Sequence, residues 1–266
     1  MNFWGHLEVL RWVLLRCIAV VTLLAVALFC FKDLVFDGIV LAPCNSDFAT
    51  YRVLCRLGDA TGLSGLCPHI EEIEMININL AAQLMTHIRI SCCLALVLSL
   101  PYLLAEAWFF VRPALYLRER RPAVTAVVAF FFQFFLGLAL AYFLIFPLTY
   151  NFLGSYQVSA RIVNQISLSS YISTFIGLLM MMGLVFEMPI AAYFFARIGV
   201  LKSSFLARYR KVAVVVVLVL AAFITPSTDV FTMCLVALPL WMLYEFSRLV
   251  VKRVESLASS SPASAE

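Results

Sequence analysis

Charge is scarce in this sequence. Only 13% of the 266 residues are Asp, Glu, Lys or Arg, while 64% are apolar. A soluble domain carries about a quarter charged and about half apolar residues. No water-soluble core hides that much apolar surface, so the composition excludes a soluble globular domain and implies several membrane-spanning helices. Histidine is also rare: there are three, and none follows His87. No cluster has metal-ligand geometry, no Gly-rich phosphate loop occurs, and no catalytic set assembles, so the chain reads as a non-enzyme with no cofactor. The basic residues lie in short clusters between apolar runs and not on one face, which argues against nucleic acid. No small-x-small cleavage site closely follows the first apolar run, Trp12 to Phe31, so that run reads as a retained helix and not a leader.

Cysteine is present eight times without a zinc spacing. Cys17, Cys30, Cys92, Cys93 and Cys234 lie in or beside apolar runs and read as small core residues. Cys44, Cys55 and Cys67 share one polar loop; two of them pair if the loop faces an oxidising compartment, and three free thiols fit equally.

Residues 1–11 read as an amphipathic interfacial helix, with Phe3, Leu7 and Leu10 at helical spacing. Six spans follow at about 12–31, 88–111, 123–149, 170–196, 212–226 and 230–246, the fifth and sixth short. The polar loop 32–79 separates the first two, and 249–266 reads as a disordered tail, leaving 1–248 as one all-α membrane domain. The last pair, Val212 to Phe246, fits either two short helices in a thinned bilayer or a re-entrant pair. Within the long loop Pro43 marks a turn, and Gly62-Leu63-Ser64-Gly65 reads as a Gly-rich turn although it resembles the serine motif of rhomboid proteases.

Numbering the sides alternately puts Arg11, four arginines between 112 and 121, five basic residues between 197 and 211, and Arg248, Lys252 and Arg253 on one side. The other side holds Lys32, Arg52, Arg56 and Arg161. The positive-inside rule makes the first side, with both termini, cytoplasmic.

The most concentrated chemistry is the loop from Glu106 to Arg121, turned at Pro113. There Glu119 stands between Arg118 and Arg120, with Phe109, Phe110, Leu115 and Tyr116 nearby at the membrane surface. The plain reading is a carboxylate that neutralises its neighbours. The sharper one is a carboxylate on an aromatic ledge that accepts a guanidinium bidentately. Glu187, followed by Pro189, is the one carboxyl deep in an apolar run; such residues usually face a protein interior or water and serve a function. Gln133 is its candidate partner. Asp229 reads as a turn or cap residue, and Glu245 as a helical partner of Arg248. His87, Arg89 and Glu106, near the ends of the second run, read as snorkelling.

Several fragments then fall into a familiar order. Phe3-Trp4-Gly5-His6-Leu7-Glu8-Val9-Leu10-Arg11 opens the chain; Trp108, Phe110, Pro113-Ala114-Leu115-Tyr116 and Glu119-Arg120 follow. Then come Phe146-Pro147, Gly183, Phe186-Glu187, Pro189, Thr225-Pro226 with Asp229, Leu238-Pro239 and Tyr244-Glu245. In order, spacing and membrane placement they resemble the TatC family, the large polytopic subunits of the twin-arginine (Sec-independent) protein translocase. Ile76-Asn77-Ile78-Asn79-Leu80 is similar to versions from Bacteroidetes-type bacteria.

The resemblance implies six helices with cytoplasmic ends in the bacterial inner membrane. It implies a receptor for Arg-Arg signal peptides of folded precursors, with export driven by the proton-motive force. Glu119 matches the loop glutamate that meets the arginine pair; Phe110 and Arg11 match receptor-surface positions, with Arg120 and Tyr116 beside them and Glu8 nearby. Implied partners are TatA- and TatB-type single-span subunits, the lipid bilayer and further copies of the chain, with the short fifth helix as a docking site. One departure stands out. Val9 occupies the place of the family's usual N-terminal glutamate, and Glu8 precedes it, about 100° round the helix. The competing class is a proton-coupled small-solute transporter using Glu187; such proteins show internal repeats and paired midplane charges, and this chain has neither.

Overall fold

The computed structural model describes residues 3–45, 47–62, 75–114, 116–157, 159, 164–225 and 229–260. It is almost wholly helical, and five helical stretches are long and apolar enough to cross a membrane: Leu7–Cys30, Ala82–Val111, Pro122–Ser155, Leu168–Arg197 and Val230–Ser256. The chain divides into two compact units, one of residues 1–131 and 142–176, the other of 132–141 and 177–266.

In the first unit, α1 (Phe3–Cys30) is one continuous helix, so the expected N-terminal interfacial helix and first span are a single element. It lies along α4 (Ala82–Val111), which begins six residues before the expected start at 88. Two contacts fix the pair as antiparallel. Arg16 Nη1 stands 3.6 Å from Glu106 Oε1 at one end, and Phe29 stacks on His87 with ring centroids 4.1 Å apart at the other. His87 therefore packs between Phe29 and Phe36 with Nε2 buried, and does not snorkel.

The described residues after α1, as far as Gly62, are mostly helical. They contain α2 (Lys32–Val35), a π turn (Phe36–Val40), a 3-10 turn (Ala42–Cys44) around buried Pro43, and α3 (Ala49–Thr61). Gly62 closes α3 at φ 71°, a left-handed position open to glycine at little cost; Leu63, Ser64 and Gly65 lie outside the described residues. Cys55 is disulfide-bonded, while Cys44 keeps a free thiol; Cys67 lies outside the described residues.

Aromatic hydroxyls take up the carbonyls that the irregular turns release. Tyr142 Oη donates to Ile39 O at 2.9 Å, and Tyr171 Oη donates to Val40 O at 2.6 Å. The Cys44 thiol donates back to Tyr171 Oη at 3.2 Å, and burial pushes that thiol above its ordinary pKa, so it stays a donor. The third span shows the same economy. After α5 (Leu117–Leu140) comes a π turn (Ala141–Ile145), then α6 (Phe146–Ser155). Pro147 has no N–H for the carbonyl four residues back, that of Phe143. The Thr50 hydroxyl on α3 donates to that carbonyl instead, and Tyr51 Oη lies 3.1 Å from both Pro43 O and Pro147 O. Short parallel strands β1 (Met75–Ile76) and β2 (Ile166–Ser167) join the two polar loops, Met75 opposite Ile166.

The second unit takes in residues 132–140 of α5 with Ala141, and 177–185 of α7 (Leu168–Val185). They meet at glycines. A Cβ on Gly137 would sit 2.8 Å from Met182 O and from Phe186, and one on Gly183 would sit 2.9 Å from the Phe134 ring. The fourth span is not continuous: it breaks at Phe186–Glu187 and resumes as α8 (Met188–Arg197), with Pro189 in the first turn, where a missing N–H costs nothing. Then come α9 (Ser203–Arg208), the 15-residue α10 (Arg210–Ile224) and α11 (Val230–Ser260).

α11 departs from expectation in two ways. The helix runs 31 residues, past the expected end of the sixth span at 246. The tail from 249 is not disordered as far as Ser260; residues 261–266 lie outside the described set. The reason is a continued apolar stripe. Val251 is fully buried against Ala192 and Ala196, Val254 packs beside it, and Glu255 accepts the Ser203 backbone N–H at 3.0 Å and its hydroxyl, capping α9.

Candidate functional site

The antiparallel pairing of α1 with α4 decides which residues share an end. Arg16 interrupts the first apolar run and Glu106 the second, so opposite charges meet between neighbouring spans. Glu106 also accepts the Tyr102 hydroxyl at 2.8 Å, and its side chain is 13% exposed. It is therefore a held ion-pair partner and not the snorkelling group the sequence suggested. Sequence reasoning passed over Arg16; the signal available was its complement to Glu106 at the same end of two consecutive, oppositely directed runs.

Above that pair the two helices end together. Glu8 and Arg11 are exposed on α1, and Phe110 is half-buried in the last turn of α4. A single 3-10 turn, Arg112–Ala114, carries Pro113 and reverses the chain into α5. Pro113 thus sits in a turn, as expected. Tyr116, 80% exposed, stands just before α5. Glu119 occupies the first turn of α5 by its backbone, where a negative charge is favoured by the helix dipole; its side chain, with those of Arg118 and Arg121, lies outside the described residues. Arg120 is half-buried, and its Nε is buried without a hydrogen-bond partner. The fold thus brings Glu8, Arg11, Phe110, Tyr116, Arg120 and the Glu119 backbone to one end of the first unit.

The second unit holds Glu187 and Gln133, the polar residues expected within the membrane. Both carboxylate oxygens of Glu187 are buried without a hydrogen-bond partner, so the anticipated bond from Gln133 is not made. The helix break puts Glu187 at the N-cap position of α8, yet its side chain makes no capping bond. An ionised carboxylate at such a depth costs at least ~2.5 kcal/mol, which leaves Glu187 an unspent polar group. Asp229 is a cap: Thr232 N donates to Oδ2 at 2.7 Å and Thr232 Oγ1 to Oδ1 at 2.5 Å, at the start of α11. Glu245 pairs with Arg248 at 3.2 Å, as its spacing suggested. It also accepts two bonds from Arg210, at 2.9 and 2.6 Å, which the sequence did not reveal because the partners are 35 residues apart. Among the described residues no group of His, Cys, Asp and Glu has the geometry to hold a metal ion.

Residues 5–239 match the family model of the Sec-independent protein translocase protein (TatC). The chain belongs to the TatC family. It is 32% identical over 249 residues to the TatC protein of Blattabacterium sp. subsp. Periplaneta americana (strain BPLAN), covering 93% of each chain. Against the TatC protein of Campylobacter jejuni subsp. jejuni serotype O:2 it is 35% identical over 192 residues, 72% of this chain and 76% of that one. Its fold is similar to the crystal structure of the twin arginine translocase receptor TatC in DDM, with a TM-score of 0.69 and 30% identity, covering 92% of this chain and 98% of the other. This TatC-family chain is a non-enzymatic, multi-pass subunit of Sec-independent protein translocation in the bacterial inner membrane, and the solute-transporter reading falls away.

Proposed function

We propose that the end of the first unit described above is the receptor surface for the arginine pair of twin-arginine signal peptides. The single observation that carries this reading is the antiparallel α1–α4 pairing, held by Arg16–Glu106 and Phe29–His87, because it gathers the N-terminal segment and the 112–121 loop at one end. Glu119 accepts one guanidinium bidentately. Phe110 and Tyr116 lend an aromatic ledge that lowers the local dielectric, and Arg120, Arg11 and Glu8 set the surrounding field. Six spans, the fifth being the short α10, keep both termini and this surface cytoplasmic, in line with the basic bias of that side. TatA- and TatB-type subunits and further copies of the chain assemble around it, and the proton-motive force drives passage of the folded precursor.

A planar guanidinium makes two parallel bonds to a carboxylate where an ammonium makes one point contact. Purified protein therefore binds an Arg-Arg signal peptide about 10-fold or more tighter than its Lys-Lys twin, read by microscale thermophoresis. Equal affinities count against the reading.

A further inference from the structure

A cleft of about 410 Å³ opens between the start of α10 and the middle of α11, lined by Arg210, Lys211, Val214, Trp241 and Glu245. We infer that it seats the phosphate headgroup of an anionic phospholipid. The inference rests on the cytoplasmic orientation proposed above but not on the signal-peptide reading.

The cleft has two chemistries. Its charged part is cationic on balance. The Glu245 carboxylate is engaged on Oε1 by Arg210 and on Oε2 by Arg248. Among the lining residues Arg210 and Lys211 stand against Glu245, a net charge of +1, and Arg248 pairs with Glu245 from outside the cleft. Lys211 is exposed, and among the described residues no hydrogen bond or ion pair holds it. Both Arg210 and Lys211 also lie in the first turn of a 15-residue helix, whose N-terminal dipole adds to the attraction for an anion. Glu245 sets a limit on this field, but two guanidiniums already answer it.

The other wall is apolar. Val214 lies one turn into α10, and Trp241 stacks on Tyr244 with ring centroids 5.5 Å apart and an interplanar angle of 22°. Beyond them the two helices expose Val215, Val219, Leu238 and Met242, each at least 59% exposed, the surface that faces acyl chains in a membrane-spanning helix. The cleft thus lies where basic residues give way to apolar surface, with tryptophan at the boundary, as is usual at the headgroup level. Basic pockets between membrane helices on the cytoplasmic side suit anionic headgroups. A free phosphate would use only the charged wall; a phospholipid uses both.

The test is native mass spectrometry of the full chain, purified in neutral detergent and mixed with phosphatidylglycerol or phosphatidylcholine of matched acyl chains. Phosphatidylglycerol is retained preferentially. Lys211→Gln weakens that retention about fivefold, Lys211→Arg restores it, and Lys202→Gln, which removes the same charge outside the cleft, leaves it unchanged. Equal retention of phosphatidylcholine, no loss with Lys211→Gln, or an equal loss with Lys202→Gln overturns the proposal. So does displacement of the lipid by millimolar inorganic phosphate, which would mark a site for a soluble anion.

Discussion

A Glu119→Ala variant accumulates in the membrane as the unaltered chain does and exports no Arg-Arg reporter. The expected size follows from the chemistry lost. Charge-assisted hydrogen bonds contribute about 1.5–3 kcal/mol each, and a bidentate guanidinium makes two. Partial solvation discounts this, leaving roughly a hundredfold fall in affinity, about 2.7 kcal/mol. The chain itself loses little, because alanine is a good helix former in the first turn of α5. The competing account makes Glu119 a neutraliser of Arg118 and Arg120. On that account removal raises the positive charge of the loop and export continues; quantitative export by Glu119→Ala, measured by periplasmic appearance of the reporter, would favour it. Val9 raises the stakes. With Val9 in the place that the family resemblance gives to a glutamate and Glu8 turned about 100° away, the loop carboxylate has less help from α1. A milder loss in Glu8→Gln than in Glu119→Ala accords with that division.

Gly137→Ala and Gly177→Ala shift the melting temperature in opposite directions. Both glycines are helical, so alanine favours each helix intrinsically by up to about 1 kcal/mol. At Gly177 nothing lies within 4 Å of an added Cβ, and the gain is realised. At Gly137 the new Cβ falls 2.8 Å from Met182 O and from Phe186. The ring of Phe186 is attached to a buried residue at the helix break and has little room to turn, and a backbone carbonyl cannot turn at all. The α5 segment must draw back from α7, which also loosens Phe134 from Gly183. Overpacking of this kind costs typically 1–3 kcal/mol, enough to outweigh the propensity gain. Gly137→Ala therefore melts several degrees lower in detergent, while Gly177→Ala melts slightly above the parent temperature. A rise for Gly137→Ala would mean that the two segments are not in contact at these glycines.

How much of this was legible in the sequence depends on the range of the interaction involved. Apolar runs report burial in lipid directly, so the helical membrane class followed from composition. Local spacings carried Asp229 as a cap and Glu245 with Arg248, because partners three residues apart on a helix must meet. Contacts set by tertiary packing were not legible. Thr50 answers the Phe143 carbonyl that Pro147 frees, from 93 positions away, and only the folded loop brings α3 there. Arg16 had no assigned role inside the first run until α4 supplied Glu106. The 249–260 segment read as disordered because it leads into a Ser/Ala tail, and its stripe of Val251 and Val254 needs α8 to become buried. For the candidate receptor surface, the residues could be named in advance, but their convergence at one end needed the antiparallel α1–α4 pair.

The central claim is that this end of the chain receives an arginine pair, and crosslinking in membranes tests it most directly. A photoreactive p-benzoylphenylalanine replaces Tyr116, which is 80% exposed beside the first turn of α5. The account predicts an ultraviolet-dependent adduct with a precursor bearing Arg-Arg, little with its Lys-Lys twin, and little when Glu119→Ala is combined in the same chain. Equal adducts with both precursors, undiminished by Glu119→Ala, would contradict it.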